Sequence, residues 1–217
     1  AFVGDFSDVT VTAADTFLYG DATDSGNTKK DTIQGILDLA GGGGSLVFIA
    51  SVTANDVATI DFLSNFSATY DNYFVTFSNV HLVNEQTLEL RIALGGSAQS
   101  GSTDYRYTSH SSGAAGGAGP ADKNSEGASA IRLGNNDGDQ TGENKCGQIY
   151  IMGANGTDNY KLITFDSAEW GSAPQLYSHV GAGMYDTALT ALSGIQFITS
   201  SGNVATGDFH LYGLAKS

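Results

Sequence analysis

The sequence predicts an all-β protein, an antiparallel β-sandwich of jelly-roll-like type preceded by an extended N-terminal arm and one short helix. Three observations predict it. Leu88, Leu90, Ile92 and Leu94 alternate with Thr87, Glu89, Arg91 and Ala93, the period-2 signature of a strand with one face in a core. Tyr73, Val75 and Phe77 alternate in the same way with Asn72, Phe74, Thr76 and Ser78. Between such runs lie turn-forming segments rich in Gly, Ser and Asn, and no helix-length pattern separates the strands as a parallel α/β sheet would require.

From the N-terminus, residues 1–45 read as an arm. They hold seven Asp and two Lys, with short extended pieces around Val9, Val11, Phe17 and Tyr19. Asp24, Ser25, Gly26 and Asn27 have turn chemistry. A helix is predicted over 31–40. Asp31 is its expected N-cap and Gln34 completes a capping-box pattern. Ile33, Ile36, Leu37 and Ala40 form one apolar stripe, and Gly41 stops it. A helix of about ten residues is marginal alone in water, so its stripe needs something to pack on. The glycine run 41–44 reads as a joint. Residues 46–217 form the predicted sandwich, with strands near 46–53, 57–63, 70–83, 86–95, 103–109, 128–133, 146–154, 160–166, 176–184, 190–199 and 206–214.

The chain has 217 residues, enough to bury a core of its own. Its net charge of −14 argues against a nucleic-acid partner and against docking on an anionic bilayer, both of which need clustered Lys and Arg. No run approaches the ~20 apolar residues of a membrane span. With no signal-peptide pattern at the start of this sequence and a single cysteine, synthesis in a reducing cytoplasm is expected. Cys146 reads as a small buried hydrophobe.

Catalytic motifs are scarce, and no catalytic, cofactor or metal site is expected. Asp137, Asp139, Thr141 and Gly142 resemble the opening of a calcium loop, but position 12 is Gln148 where a bidentate Glu is wanted, so a solvated hairpin loop is the plainer reading. His81, His110, His179 and His210 have no metal-ligand spacing and read as surface or groove histidines. Asp166 and Glu169 flank a strand end beside Trp170, the only tryptophan. An aromatic beside acids can serve as a sugar platform, and Trp170, Tyr177, Tyr105 and Tyr107 are the candidate glycan contacts. Packing in a core or interface is the plainer role for Trp170.

Two segments resemble bacteriophage virion surface proteins. Residues 14–39 carry an Asp, an apolar pair, an Asp21-x-x-Asp24 turn, Lys29–Lys30 and then a short helix, similar to a recurrent phage fibre element. The stretch from Phe66 through Tyr70 and Tyr73 into a long strand, and the closing order from Gly194 and Phe197 to Gly207 and Gly213, are similar to jelly-roll-like ends of phage fibres and head-surface proteins. The resemblance implies a homotrimer on the virion surface, attached by its N-terminal arm, with the β domain outward. Its other partner would be the major capsid protein or another virion protein. The implied attachment residues are Phe2, Val3, Phe6, Val9, Val11, Phe17 and Tyr19, and the implied trimer contacts are Ile33, Ile36 and Leu37. A chain this short fits a capsid decoration (cement) protein or head fibre better than a long tail fibre. A tail-fibre module gripping host surface glycan is the alternative.

Overall fold

A computed structural model describes residues 11–12, 14–36, 46–114, 122–135, 139–171 and 175–215. The protein is almost all β, and the chain divides into two compact units at residues 45/46.

The described residues of the first unit form a β-hairpin followed by a helical turn. β1 (Thr16–Asp21) pairs antiparallel with β2 (Asn27–Thr32), from Thr16 opposite Thr32 to Asp21 opposite Asn27. The turn between them is built by short polar side chains. Asp21 accepts from the Thr23 N–H at 2.8 Å and from its hydroxyl at 2.6 Å, which holds its carboxyl below the usual range. Ser25 (φ 53°) and Gly26 (φ 78°) take the left-handed conformations that reverse the chain, as the turn chemistry predicts. Lys29 reaches back to Asp24 at 2.6 Å.

The predicted helix begins at residue 33, later than expected, with 33–36 helical. Asp31 still belongs to β2, paired with Phe17, so it is not the N-cap. Thr32 is, since its hydroxyl accepts from the Gly35 N–H at 3.1 Å. The remainder of the predicted helix, Leu37 included, lies outside the described residues.

The second unit is an antiparallel β-sandwich. Its long sheet has eight strands: β3 (Leu46–Val57), β15 (Val204–Leu214), β5 (Asn72–Leu82), β11 (Asn144–Met152), β12 (Lys161–Gly171), β13 (Gln175–Tyr185), β8 (Tyr105–Gly113) and β9 (Lys123–Ala128), in that spatial order. The short sheet runs β10 (Ile131–Arg132), β6 (Leu88–Leu94), β14 (Gly194–Thr199), β4 (Thr59–Phe62), with β7 (Ser97–Ala98) beside β6. The alternations read from sequence fall as expected. Leu88, Leu90 and Ile92 from the short sheet meet Tyr73, Val75 and Phe77 from the long one, all buried. Ile60, Phe62, Ile195 and Phe197 meet Phe209, Leu211, Ile149 and Ile163 in the same core.

Two tyrosines pin this core with their hydroxyls. Tyr73 donates to the Ser67 carbonyl at 2.9 Å and accepts from the Ser67 N–H at 2.7 Å, with its ring stacked on Phe66. Tyr105 accepts from the Ile92 N–H at 3.0 Å and donates to the Gln99 carbonyl at 2.9 Å, tying β8 of one sheet to β6 of the other. Burial pushes the Tyr105 phenol well above its ordinary pKa. Tyr105→Phe keeps the ring and leaves two backbone groups without their partner. It should cost about 1–3 kcal/mol, read as a lower denaturation midpoint at unchanged m-value.

Candidate functional site

In the hairpin unit every described residue is exposed or half-buried. Phe17 and Tyr19 lie on one face of β1 with ring centroids 5.7 Å apart. With Asp31, Gly35 and Ile36 they line an open hollow of about 360 Å³. Two predicted attachment residues and one predicted trimer residue therefore share one surface. Ile36 is 45% exposed, Leu18 on the other face of β1 is 73% exposed, and Val11 is exposed as well. Ile33 is half-buried. Phe2, Val3, Phe6, Val9 and Leu37 lie outside the described residues.

The outer face of the long sheet is the second surface. An antiparallel sheet with one solvated face normally shows polar residues there. Here an aromatic row crosses four strands. Phe48, Tyr212, Phe74 and Tyr150 stand side by side on β3, β15, β5 and β11, with successive ring centroids 5.9, 6.2 and 4.6 Å apart. His210 joins this row beside Phe48 and Tyr212. Next to it Met152, Leu162 and Met184 continue across β11, β12 and β13. Phe48 and Leu162 are more than half exposed. Phe74 is buried among its neighbours in the row, so Phe48, Met152 and Leu162 are the solvent-facing apolar groups of this surface.

The candidate glycan contacts do not converge. Trp170 projects from β12, 43% exposed, with Leu176 and Asn144 as cross-strand neighbours. Tyr105 is fully buried and offers no face for stacking, which removes it from the set. Tyr177 sits on the opposite face of the sheet, half-buried, its hydroxyl donating to Gln175 Oε1 at 3.1 Å. Tyr107 packs against the core and borders an open hollow of about 260 Å³ with Arg106, Leu162 and Met184. Asp166 and Glu169 point to opposite faces of β12, so they are not a pair. Asp166 accepts from Gln148 Nε2 on the outside, while Glu169 is buried.

Glu169 belongs to a cluster that the sequence reading missed. Lys145 Nζ lies 2.7 Å from Glu169 Oε2, both side chains shut off from solvent. His179 Nε2 lies 3.0 Å from Glu169 Oε1, off the line of a good hydrogen bond. The far ring nitrogen, Nδ1, is 2.7 Å from Ser111 Oγ. Four adjacent strands supply these groups: Lys145 faces Glu169 across β11 and β12, and Ser167, His179 and Ser111 form a row across β12, β13 and β8. The segment after β10 closes over them. Ser167 Oγ donates to the Leu133 carbonyl at 2.8 Å. Gly134 passes so close that a Cβ there would collide with Lys145 Nζ and lie 3.0 Å from Glu169 Oε2. His179 is thus a core histidine and not a surface one. Cys146, one position from Lys145, takes the outer face and is exposed, contrary to its expected burial.

Among the described residues no group of three or more His, Cys, Asp or Glu side chains is placed to hold a metal. The suggested calcium loop is described only in part, because 136–138 lie outside. Comparison with protein-family models and with curated proteins finds no match to this chain.

Removing one partner of a buried ion pair leaves the other charge uncompensated. Lys145→Met should therefore destabilise the second unit by about 3–5 kcal/mol. Cys146→Ser, on the solvent side of the same strand, should stay within about 0.5 kcal/mol. Chemical denaturation of the two variants checks the contrast.

Proposed function

We propose that this protein is a structural component of a bacteriophage virion surface, carried as a homotrimer and attached through its N-terminal unit, where it stabilises or decorates the capsid. The observation that carries the reading is the hairpin unit. It gathers Phe17, Tyr19 and Ile36 around an open hollow while none of its described residues is buried. A two-stranded hairpin is marginal by itself in water, so such a unit gains its stability from what it is packed against. Copies of the Ile33 and Ile36 stripe around a threefold axis supply one such contact, and the virion supplies the other through Phe17 and Tyr19. The apolar rows on the outer face of the sandwich add surface of the kind protein contacts bury. The acidic chain suits a densely displayed surface protein, since like charges discourage nonspecific clumping.

Trp170 supports a second reading, a tail-fibre module that contacts host glycan. Its indole is partly exposed, with Asn144 as its cross-strand partner on β11, and an exposed aromatic face can stack on a sugar ring.

In sedimentation the chain should run at the mass of three 22.4 kDa subunits, and Ile36→Asp should release single chains. Phe17→Asp with Tyr19→Asp should leave the sandwich folded and weaken co-sedimentation with particles lacking the protein at least tenfold, about 1.4 kcal/mol or more. A single-chain species that ignores heads and tails alike overturns the proposal. For the second reading, a glycan array lit by the wild type should go dark with Trp170→Ala, and a wild-type array without signal removes it.

A further inference from the structure

We infer that Lys145 and Glu169 are the two ends of a covalent cross-link, an amide formed between their side chains inside the folded sandwich. The juxtaposition has what condensation requires. The amine nitrogen is 2.7 Å from one carboxyl oxygen, and the two residues are direct cross-strand partners. Water is shut out on every side, with Lys145 at 0% and Glu169 at 1% exposure. Held reactants of this kind act at effective molarities on the order of 10⁵–10⁸ M.

Burial also alters the balance between reactants and product. An ammonium facing a carboxylate in a dry interior keeps a large desolvation penalty that its mutual attraction offsets only in part. One proton moved across the 2.7 Å contact converts the pair to a neutral amine and a neutral acid, the nucleophile and the electrophile of amide formation. Condensation then removes two charges from the core for good.

The neighbours complete the arrangement. His179 Nδ1 lies 2.7 Å from Ser111 Oγ, and its Nε2 lies 3.0 Å from Glu169 Oε1. In the step, Lys145 first gives a proton to Glu169 Oε2. The Nζ lone pair attacks Cδ, and the C–N bond forms. Negative charge develops on Oε1, which lies 3.0 Å from His179 Nε2. Oε2 takes a second proton from Nζ, the C–Oε2 bond breaks, and Oε2 leaves as water. Oε1 becomes the amide carbonyl oxygen, so atoms and charges balance with no outside reagent. Gly134 matters here because only a residue without a Cβ lets the covering segment seal the pair. The inference stands on the sandwich unit alone and is independent of the virion reading.

Intact-mass measurement on the denatured wild-type chain tests it. The expected mass is lower than the sequence mass by one water. Digestion should then yield a branched peptide joining the segment with Lys145 to the segment with Glu169. A full-length chain at its sequence mass overturns the inference, as does a water loss that maps elsewhere. Lys145→Arg keeps the charge and should restore the sequence mass with no branched peptide. The wild-type measurement decides the matter even where that variant fails to fold.

Discussion

The constraint on which the sandwich turns is the unequal width of its two sheets. Eight strands present one inner face, and the short sheet ends at β10, a strand of two residues. Apolar side chains from both sheets fill the space where they overlap. Past β10, Leu133 and Gly134 lie over the long sheet. An irregular segment brings backbone groups that need hydrogen bonds, so the long sheet cannot offer it only hydrocarbon. Ser167 serves this role directly by donating to the Leu133 carbonyl. The polar row at this end is therefore a consequence of how the sandwich is closed.

Once polar groups are required there, their identities become restrictive. A lone lysine at position 145 would be a buried charge of several kcal/mol, and Glu169 opposite it neutralises that charge at hydrogen-bond distance. Glu169 has a second oxygen, which His179 faces, and His179 has a second nitrogen, which Ser111 meets. These groups sit on four strands whose registers must all hold. A slip of one residue in β12 would turn Glu169 outward and bring Trp170 in against Lys145. The cluster thus fixes register where the hydrophobic pattern is thinnest, since β13 carries glycine or alanine at positions 181–183.

Much of the fold was legible because the alternation in β5 and β6 is strong and the faces differ sharply in polarity. β9 was missed for the opposite reason: residues 123–128 have no apolar alternation, and that strand is held by backbone pairing with β8. Asp31 was misread as a helix cap because its cross-strand partner, Phe17, is invisible locally. Part of the buried cluster was within reach of the sequence. Ile149 and Ile151 point inward, and stepping back by two through Gly147 puts Lys145 inward and Cys146 outward. Residue-type preference alone led the other way. The same step from Ile163 and Phe165 through Ser167 puts Glu169 on the inner face. What no local pattern carries is the meeting of Glu169 with His179 and Ser111. That depends on β13 pairing with β8, more than sixty residues earlier in the chain.

The two units solve the problem of burial in different ways, and the difference bears on function. The sandwich closes its core within its own chain, down to the sealed contact of Lys145 with Glu169. Among its described residues the hairpin unit has polar groups well served by the Asp21 turn, the Thr32 cap and the Lys29–Asp24 pair. Its apolar groups are not: Phe17, Tyr19 and Ile36 surround a hollow open to solvent. Local hydrogen bonds specify the shape of such a unit but contribute little net stability in water. On the proposed attachment, a hairpin defined by turn and cap chemistry, with Phe17, Tyr19 and Ile36 around an open hollow, would serve as a preshaped docking element. Its ordering cost is partly met before contact, and the remaining hydrophobic gain is realised only when another surface covers it.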